Sequence, residues 1–493
     1  MKKNFCFIQP YLLLIAPLVV LFKNNPGEVF TFDFLLVTTL LTVAVFLLFL
    51  LISKWIKDRE KNSIFLSLLC CSFILSIELP SASKILIWSL CTLSALFSLI
   101  ILIPAKWKTI LSCYFSLPLL IVISYNLFEI RQIKKQIQNE IAERKLELLP
   151  IKQLPTTCSR DIYLIVLDEF ISEKAFKNYY HFDDGDFFNH LREKGFCVIP
   201  SSVSNYPWTI TSIASILNFD YHATKLAKNV FTGVAQDLIE RNKLFEILKR
   251  EGYSIHHIPS IYWMGNPSTN SISDCLFRTQ SYGLLQSISQ ITPWKDTYRT
   301  YQRSSHRNHV IGQLDQLKLI SEKPGKKMAF AHIMCPHRPI AFTESGEILS
   351  KAELIESEKD SEHRFYLAQA KFISKEVIKT IEHILQHSSQ APLIVLLSDH
   401  GKFPIGCNPK GKPTLPIEQI AWRFSNLQAL YLPDCKVSFP DQITPLNTIR
   451  IMLNHYFGYD LPILEDACCP HFYDLNSRIP AHVIMEYLAH TDG

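Results

Sequence analysis

Five apolar segments fill the first quarter of the chain, and they constrain its fold more than any other feature. Each is long enough, or nearly so, to cross about 30 Å of hydrocarbon as a helix. The segments are Phe5–Phe22, Phe32–Ser53, Ser63–Leu79, Ile85–Ile103 and Ile110–Phe128. One such segment alone would be read as a buried core helix, but five in succession with almost no charge predict a transmembrane domain over residues 1–128.

Basic residues between these segments predict the orientation. Lys2 and Lys3 precede the first segment, "KWIKDREK" (Lys54–Lys61) follows the second and "KWK" (Lys106–Lys108) follows the fourth. Basic loops face the cytoplasm, so five spans place everything after Phe128 outside. We expect a multi-pass plasma (inner) membrane protein whose soluble part is exterior or periplasmic. The net charge of +5 is small for 493 residues and requires no nucleic-acid partner.

The remaining chain divides into a linker helix over residues 129–157 and a soluble domain over 158–493. Short apolar runs alternate there with longer amphipathic stretches, which predicts an α/β domain with a largely parallel central sheet. The runs are Asp161–Phe170, Phe196–Pro200, Tyr253–Ile258, Met328–Met334, Pro392–Gly401 and Leu427–Pro433, and helices are expected at Thr209–Leu217, Leu238–Arg250, Arg364–Gln386 and Pro445–Tyr456. The pairing of the exterior cysteines is open.

Three of the apolar runs end in polar residues. "YLIVLDEF" ends in Asp168 and Glu169, "AFAHIMCPHRP" reaches His337, and "LIVLLSDHG" ends in Asp399 and His400. In an open parallel sheet, ligands bind outside the carboxyl ends of the strands. Each residue alone is explained by helix capping or ordinary hydrogen bonding. Together, carboxylate and imidazole groups at one edge suit a divalent metal better.

A fourth segment supplies a candidate nucleophile. In "SNYPWTITSIASILN" (Ser204–Asn218) the apolar residues share one helical face, so a helix should begin near Thr209, just after Pro207. A hydroxyl there lies among free N–H groups at the positive end of the helix dipole, where an anionic phosphoryl group is favoured. Two alternatives stay open. In the first, Thr209 serves only as the N-cap of the helix, and in the second, Thr211 carries the reactive hydroxyl.

Taken in order, the segments "IYLIVLDEF", "SNYPWTITSIASILN", "FAHIMCPHRP" and "LLSDHG" resemble the sulfatase-like branch of the alkaline phosphatase superfamily. Membrane helices followed by an exterior domain are similar to its lipoteichoic acid synthases and phosphoethanolamine transferases. "RFSNLQALYLP" and "ITPLNTIRIMLNHYFGYDLP" resemble membrane sulfatase-like proteins of bacterial surface-polysaccharide systems. The resemblance covers about residues 158–465 and implies an alkaline-phosphatase-like domain.

The resemblance also implies a metal site. Asp168 matches the acidic ligand after the first strand, with Glu169 as its neighbour. Thr209 matches the nucleophile that also binds the metal, and Asp399 and His400 match the late Asp-His ligands. The implied cofactor is one divalent ion, with zinc, manganese, magnesium and calcium not distinguished and a second ion left open.

Further residues match or depart from the family pattern. Ser212 reproduces the Thr-x-x-Ser spacing after Thr209, and His332 and His337 lie where the family places histidines that contact the substrate or a second metal. The Cys/Ser-x-Pro-x-Arg motif of true sulfatases is missing, which disfavours sulfate-ester hydrolysis through formylglycine. No second histidine closely follows His400, which leaves a complete transferase-type site in doubt.

The predicted function is therefore a membrane-anchored, metal-dependent enzyme of the sulfatase-like kind. By this resemblance it transfers a phosphoryl-linked head group through Thr209 from a phospholipid donor to a cell-surface glycan or lipid. Two alternatives remain. The first is a phosphodiesterase or sulfuric-ester-type hydrolase with the same site. The second is a catalytically decayed scaffold in polysaccharide assembly.

Overall fold

The computed structural model describes most of the chain in separate stretches. They are residues 5–24, 31–58, 62–67, 70, 105–144, 158–181, 185–222, 228–260, 273–276, 295–357, 363–403, 417–435, 439–440, 443–470 and 478–490. The chain folds into two compact units. One consists of Met1–Glu140 with Tyr282–Tyr298, and the other of Ile141–Ser281 with Arg299–Gly493.

Helices make up most of the described part of the first unit. Three of them are α1 (Phe5–Asn24), α2 (Thr31–Ser53) and α3 (Ala105–Arg144), the last of which ends in the second unit. Residues 62–67 are also helical, and residues 295–298 begin a helix that continues into the second unit. The fifth apolar segment and the start of the predicted linker thus form one continuous helix. The fourth segment and most of the third lie outside the described residues. Within the described part of the chain, no helix combines the length and apolar character needed to cross a membrane.

A seven-stranded sheet forms the centre of the second unit, in the order β2-β7-β6-β1-β5-β3-β4. Its strands are β1 (Ile162–Leu167), β2 (Cys197–Val198), β3 (Ser254–Ile258), β4 (Cys275–Leu276), β5 (Lys327–Ile333), β6 (Leu393–Ser398) and β7 (Gln428–Tyr431). All pairs are parallel except β6 with β7 and β7 with β2. The prediction of a largely parallel central sheet is confirmed. A separate antiparallel pair joins β8 (Ala467–Cys468) to β9 (Ile479–Pro480).

The register of the central strands aligns their carboxyl ends. Leu167, the last residue of β1, pairs with Ile333 of β5 on one side and with Ser398 of β6 on the other. All three strands therefore stop at the same level. The residues that follow β1 and β6 must emerge side by side at this edge.

Helices connect the strands and cover the sheet. They are α4 (Glu173–Tyr179), α5 (Gly185–Glu193), α6 (Thr209–Asn218), α7 (Lys228–Glu240), α8 (Lys243–Arg250), α9 (Lys295–Ser321), α10 (Lys351–Ser357), α11 (Arg364–His387), α12 (Ile417–Phe424), α13 (Pro445–Phe457) and α14 (Ala481–His490). The predicted single helix over Leu238–Arg250 is wrong, because Asn242 caps a new helix by accepting a hydrogen bond from the Phe245 N–H.

Two hydrophobic cores lie on opposite faces of the sheet. Tyr163, Ile165 and Leu167 of β1 enter one core, and the alternate residues of the strand enter the other. A strand covered on both faces reads as a continuous apolar run, which explains the "IYLIVL" sequence of β1. Five cysteines of the second unit are free thiols, namely Cys158, Cys335, Cys435, Cys468 and Cys469.

Candidate metal and nucleophile site

The ends of β1 and β6 bring Asp168, Asp399 and His400 together. One ligand atom from each lies within 4.8 Å of the others. Their exposed fractions are 2%, 0% and 0%, so water does not solvate these groups. Neighbouring parallel strands with aligned ends give this arrangement, as the strand pattern in the sequence predicts.

Two carboxylate oxygens in this cluster lack a hydrogen-bond donor. Asp399 Oδ1 accepts from the backbone N–H groups of Glu169 (3.3 Å) and His400 (2.9 Å). By contrast, Asp399 Oδ2 and Asp168 Oδ1 are buried and have no hydrogen-bond partner among the described residues. Burying an anionic oxygen without a partner is costly. A divalent cation between these oxygens would satisfy both, so the residues fit the implied metal.

His400 is held in the form that binds a metal. Its Nδ1 lies 3.0 Å from the Gly401 carbonyl oxygen and therefore carries the proton. Its Nε2 is then an unprotonated acceptor, which explains why its 3.2 Å approach to Asp399 Oδ2 is not a hydrogen bond. Burial, with a further contribution from Arg423, lowers the pKa of His400 to about 3. The ring is neutral at physiological pH, as metal ligation requires.

Burial lowers the pKa of His400 but raises the pKa of Asp399. Burial and the neighbouring negative charge of Asp168 raise the pKa of its carboxyl group. Without a cation, the pair resists holding two negative charges at once. A bound divalent ion would remove this resistance.

Thr209 is directed at the cluster. It is the first residue of α6, and Trp208 occupies the N-cap position. The interpretation of Thr209 as a simple N-cap is therefore wrong. Its Oγ1 lies 2.9 Å from His400 Nε2. The rival hydroxyl of Thr211 is buried and donates to the Trp208 carbonyl oxygen at 2.8 Å, so helix α6 itself engages it.

Ser212 is engaged inside the protein. Its buried hydroxyl donates to the Asp399 backbone oxygen at 2.5 Å. This bond links one turn of α6 to the loop after β6 and fixes the distance between Thr209 and His400. The contact explains the Thr-x-x-Ser spacing, since residues three apart lie on the same helical face.

Glu169 is not part of the three-residue cluster. Its backbone adopts a left-handed conformation, with φ of 63°. Its carboxylate forms ion pairs with Arg423 and with Lys402 Nζ, the latter at 3.2 Å. Burial alone would raise the pKa of Glu169, but Lys402, His337 and Arg423 together hold it well below its ordinary value. The Glu169 carboxylate therefore pairs with the cationic side chains of Arg423 and Lys402 and is not one of the three clustered metal-ligand candidates.

The two predicted histidines occupy different surroundings. His332 is buried, and its Nε2 lies 3.4 Å from Asp168 Oδ2. His337 is 30% exposed, and its Nε2 lies 3.9 Å from Glu169 Oε1. Its Nδ1 is bonded to the Arg338 carbonyl oxygen at 2.6 Å. Of the two, His337 is the one that a substrate can reach.

Arg423 is the site residue that the sequence analysis missed. It is buried, and besides Glu169 it donates to the carbonyl oxygens of Pro207 and Gly401, both at 2.8 Å. Its Nη2 lies 3.0 Å from His400 Nε2. One guanidinium group therefore joins the segment before α6, the loop after β6 and the end of β1. An arginine between Trp422 and Phe424 just before a strand was the available signal.

Three other histidines lie on β3 and α9, where His257 and His306 are buried and His309 is partly buried. Burial lowers the pKa of His257 to about 3, that of His306 to about 3 and that of His309 to about 4. These rings are therefore neutral in the folded protein near pH 7. The sequence pattern did not single them out, because none of them follows the carboxyl end of a predicted strand.

Comparisons with known proteins found solved structures that are similar in fold to this chain. The zinc complex of the C-terminal periplasmic domain of EptC from Escherichia coli is 14% identical, with a TM-score of 0.45, and the match covers 68% of this chain and 97% of that chain. The integral membrane lipooligosaccharide phosphoethanolamine transferase A from Neisseria meningitidis is 11% identical, with a TM-score of 0.36 and coverage of 73% and 69%.

A putative sulfatase from Bacteroides thetaiotaomicron is also similar, at 12% identity and a TM-score of 0.39, with coverage of 66% and 77%. Phosphoethanolamine transferases and sulfatases are thus among the solved structures that are similar in fold to this chain. No family model matches the chain, and no curated protein matches it.

Proposed function

We propose that this chain is a membrane-anchored, metal-dependent enzyme that transfers a phosphoryl-linked head group through Thr209. One observation carries the proposal. Thr209 Oγ1 lies 2.9 Å from His400 Nε2, beside two buried carboxylate oxygens without donors. Asp168, Asp399 and His400 would hold the cation, which lowers the pKa of a nearby hydroxyl and stabilises charge on a phosphoryl oxygen.

The chain's own residues then perform two displacements. Thr209, with its hydroxyl proton released to solvent, forms a bond from Oγ1 to phosphorus while the bond from phosphorus to the lipid oxygen breaks, and His337 protonates that leaving oxygen. An acceptor hydroxyl next attacks phosphorus and gives its proton back to His337, while the bond from phosphorus to Thr209 Oγ1 breaks and Thr209 leaves as the oxyanion. Ser212 keeps α6 against the loop after β6 by its bond to the Asp399 backbone oxygen. Reacting groups held in this way need little reorganisation.

A buried network of cations borders the site. Arg423 and Lys402 both pair with Glu169, which balances part of their charge. With a divalent cation offsetting Asp168 and Asp399, the site would keep a net positive charge that favours an anionic substrate group next to Thr209. This balance supports a phosphoryl-type substrate over a neutral one.

The membrane part of the proposal rests on the exposed surfaces of the N-terminal helices. Large apolar side chains are exposed on α2 and α3, namely Leu40, Phe46, Leu47, Leu50, Leu51, Leu117, Ile121, Leu127 and Phe128. Exposed apolar surface of this extent suits a lipid environment. We therefore propose a membrane phospholipid as donor, an exterior glycan or lipid as acceptor, and an exterior or periplasmic location for the catalytic domain.

Two other functions are the alternatives. A hydrolase would use the same site, and a scaffold would have lost the activity of that site. A hydrolase would accept water where the transferase accepts a hydroxyl, and nothing in the cluster itself prevents this. A decayed scaffold would have no need to keep two buried carboxylate oxygens without hydrogen-bond partners at this site. The contact between Thr209 and His400 therefore favours an enzyme over a scaffold.

A labelled phospholipid separates the three functions. The full chain, reconstituted in lipid with a divalent metal, is given phospholipid labelled in the head group together with surface glycan. Label in the glycan supports a transferase, release of the free head-group phosphate supports a hydrolase, and no turnover supports a scaffold. Thr209→Ala should abolish either reaction. Thr211→Val removes a neighbouring hydroxyl that α6 already engages and is the matched control.

A further inference from the structure

Two helices end side by side at the sheet edge opposite the catalytic site. Helix α9 ends at Ser321 and leads into β5, while α11 ends at His387 and leads into β6. Because β5 and β6 are both parallel to β1, these helix ends lie where the strands begin, whereas Asp168 and Asp399 lie where they finish. Strands of this length separate the two edges by about 20 Å.

Three potential ligands meet at this opposite edge. His383 and His387 lie one turn apart on α11, with stacked rings whose centroids are 3.9 Å apart. Glu322, the residue after α9, places its Oε1 2.9 Å from His383 Nε2. One ligand atom from each residue lies within 4.8 Å of the others. His387 Nδ1 is bonded to the His383 carbonyl oxygen at 2.8 Å, which leaves its Nε2 to bind an ion.

We propose that Glu322, His383 and His387 form a second metal site, selective for a divalent transition-metal ion such as Zn²⁺. Two imidazoles at i and i+4 on one helix, with a carboxylate from a neighbouring element, are ligands that such ions favour. The site lies at the carboxyl ends of two helices, where the helix dipoles favour positive charge. All three side chains are at least partly exposed, so an ion and its completing water ligands have access.

The proposed ion would join α9 to α11. These helices precede β5 and β6, the two strands that flank β1. A metal bound here stabilises the folded domain by mass action without contacting the nucleophile. Its role is therefore structural, and it is independent of the proposed transfer reaction.

The test counts zinc ions on the full-length protein. Chelator-treated protein is dialysed against Zn²⁺ alone, and bound zinc is measured by elemental analysis for wild type, for His383→Ala/His387→Ala, for Asp399→Asn and for His455→Ala. His455 is exposed on α13 and is the matched histidine control. We expect the double variant to lose one equivalent, with affinity at that site falling on the order of 100-fold, while His455→Ala binds as wild type.

Two outcomes separate this proposal from the catalytic one. If the double variant retains every zinc equivalent at unchanged affinity, the second site is overturned, whatever Asp399→Asn shows. If Asp399→Asn retains wild-type zinc while the double variant loses one equivalent, the catalytic site fails and the second site stands. Protection of His383 and His387 from diethylpyrocarbonate by Zn²⁺, mapped by mass spectrometry on unsubstituted protein, gives the same answer without any change to the fold.

Discussion

The carboxylate of Asp399 is fully buried and out of contact with water. One of its oxygens accepts two backbone hydrogen bonds, and the other accepts none among the described residues. Burial and Asp168 raise its pKa, so the folded metal-free protein binds this proton more tightly than the unfolded chain does. The corresponding stability is present below the ordinary carboxyl pKa and is lost as the pH rises through the raised value.

Asp399→Asn should therefore stabilise the metal-free protein at pH 8. The amide carries no charge and keeps an oxygen for the two backbone donors, and each unit of raised pKa corresponds to about 1.4 kcal/mol. We expect the free energy of unfolding to rise on the order of 2 kcal/mol by chemical denaturation after chelation. With saturating metal, wild type should become the more stable protein.

Asp460→Asn, at an exposed position, should change neither value. A metal-free Asp399→Asn protein that is less stable than wild type would show that the carboxylate already has a partner, which would remove the argument for a cation.

Among the individual residues, the sequence predicts those site residues whose neighbours in the chain form a recognisable strand or helix pattern. Asp168, Asp399 and His400 directly follow apolar strands, and Thr209 starts an amphipathic helix. Arg423 was not predictable in this way, because it pairs with Glu169 across 254 positions of sequence. Such a contact exists only after α12 packs against the loop after β6.

At the scale of secondary-structure elements, the packing of α12 against the loop after β6 depends on Gly401. A Cβ added at Gly401 would lie 2.3 Å from the backbone oxygens of both Ser425 and Trp422. The Gly401 N–H also donates to the Arg423 carbonyl oxygen at 2.8 Å. Glycine is thus required after the Asp-His pair because the loop and the end of α12 touch through their backbones.

Gly401→Ala should destabilise the domain by about 3 kcal/mol or more, since two backbone groups have to move. The same movement displaces His400, so metal affinity should fall as well. Thermal unfolding and zinc binding measure the two effects.

Gly325→Ala is the comparison. Its φ is +80° with no heavy atom near the added Cβ, so only the strain of about 1 kcal/mol from a left-handed conformation is expected. Equal losses in the two variants would refute the close backbone approach at Gly401.

Element boundaries show where local patterns are not enough. The helix predicted at Pro445–Tyr456 is confirmed as Pro445–Phe457, ended by Gly458 in a left-handed conformation. The interruption at Asn242 was missed, because the apolar spacing continues across it. Asn242 is buried there, and its amide also donates to the Ile239 carbonyl oxygen, a loop contact that hydrophobic periodicity does not reveal.

For the molecule as a whole, buried neutral histidines predict acid sensitivity. Burial, with a smaller effect of His332, lowers the pKa of His257 to about 3, whereas a histidine in the unfolded chain titrates near 6.5. Between these values the unfolded chain takes up a proton that the folded chain does not. Stability is therefore lost as the pH falls below about 6.5, at about 1.4 kcal/mol per pH unit for each such group.

His257→Leu should reduce this loss. His257 packs against Phe245 and Phe330, and its ring nitrogens have no hydrogen-bond partner among the described residues, so an apolar side chain suits the position. The difference in unfolding free energy between pH 7.5 and pH 5 should shrink by about 2 kcal/mol. His455→Leu on the surface is the control. An unchanged difference in His257→Leu would mean that His257 is protonated in the folded protein.

The central claim is that Thr209 is the nucleophile of a metal-dependent transfer reaction, and peptide mass spectrometry of Thr209 tests it most directly. Full-length protein in lipid is incubated with divalent metal and labelled phospholipid, quenched during turnover and digested. We predict a phosphoryl-linked adduct on Thr209 that is absent from Thr209→Ala and retained in Thr211→Val. An unmodified Thr209 in protein that is turning over its substrate, or an adduct on another residue, would contradict the claim.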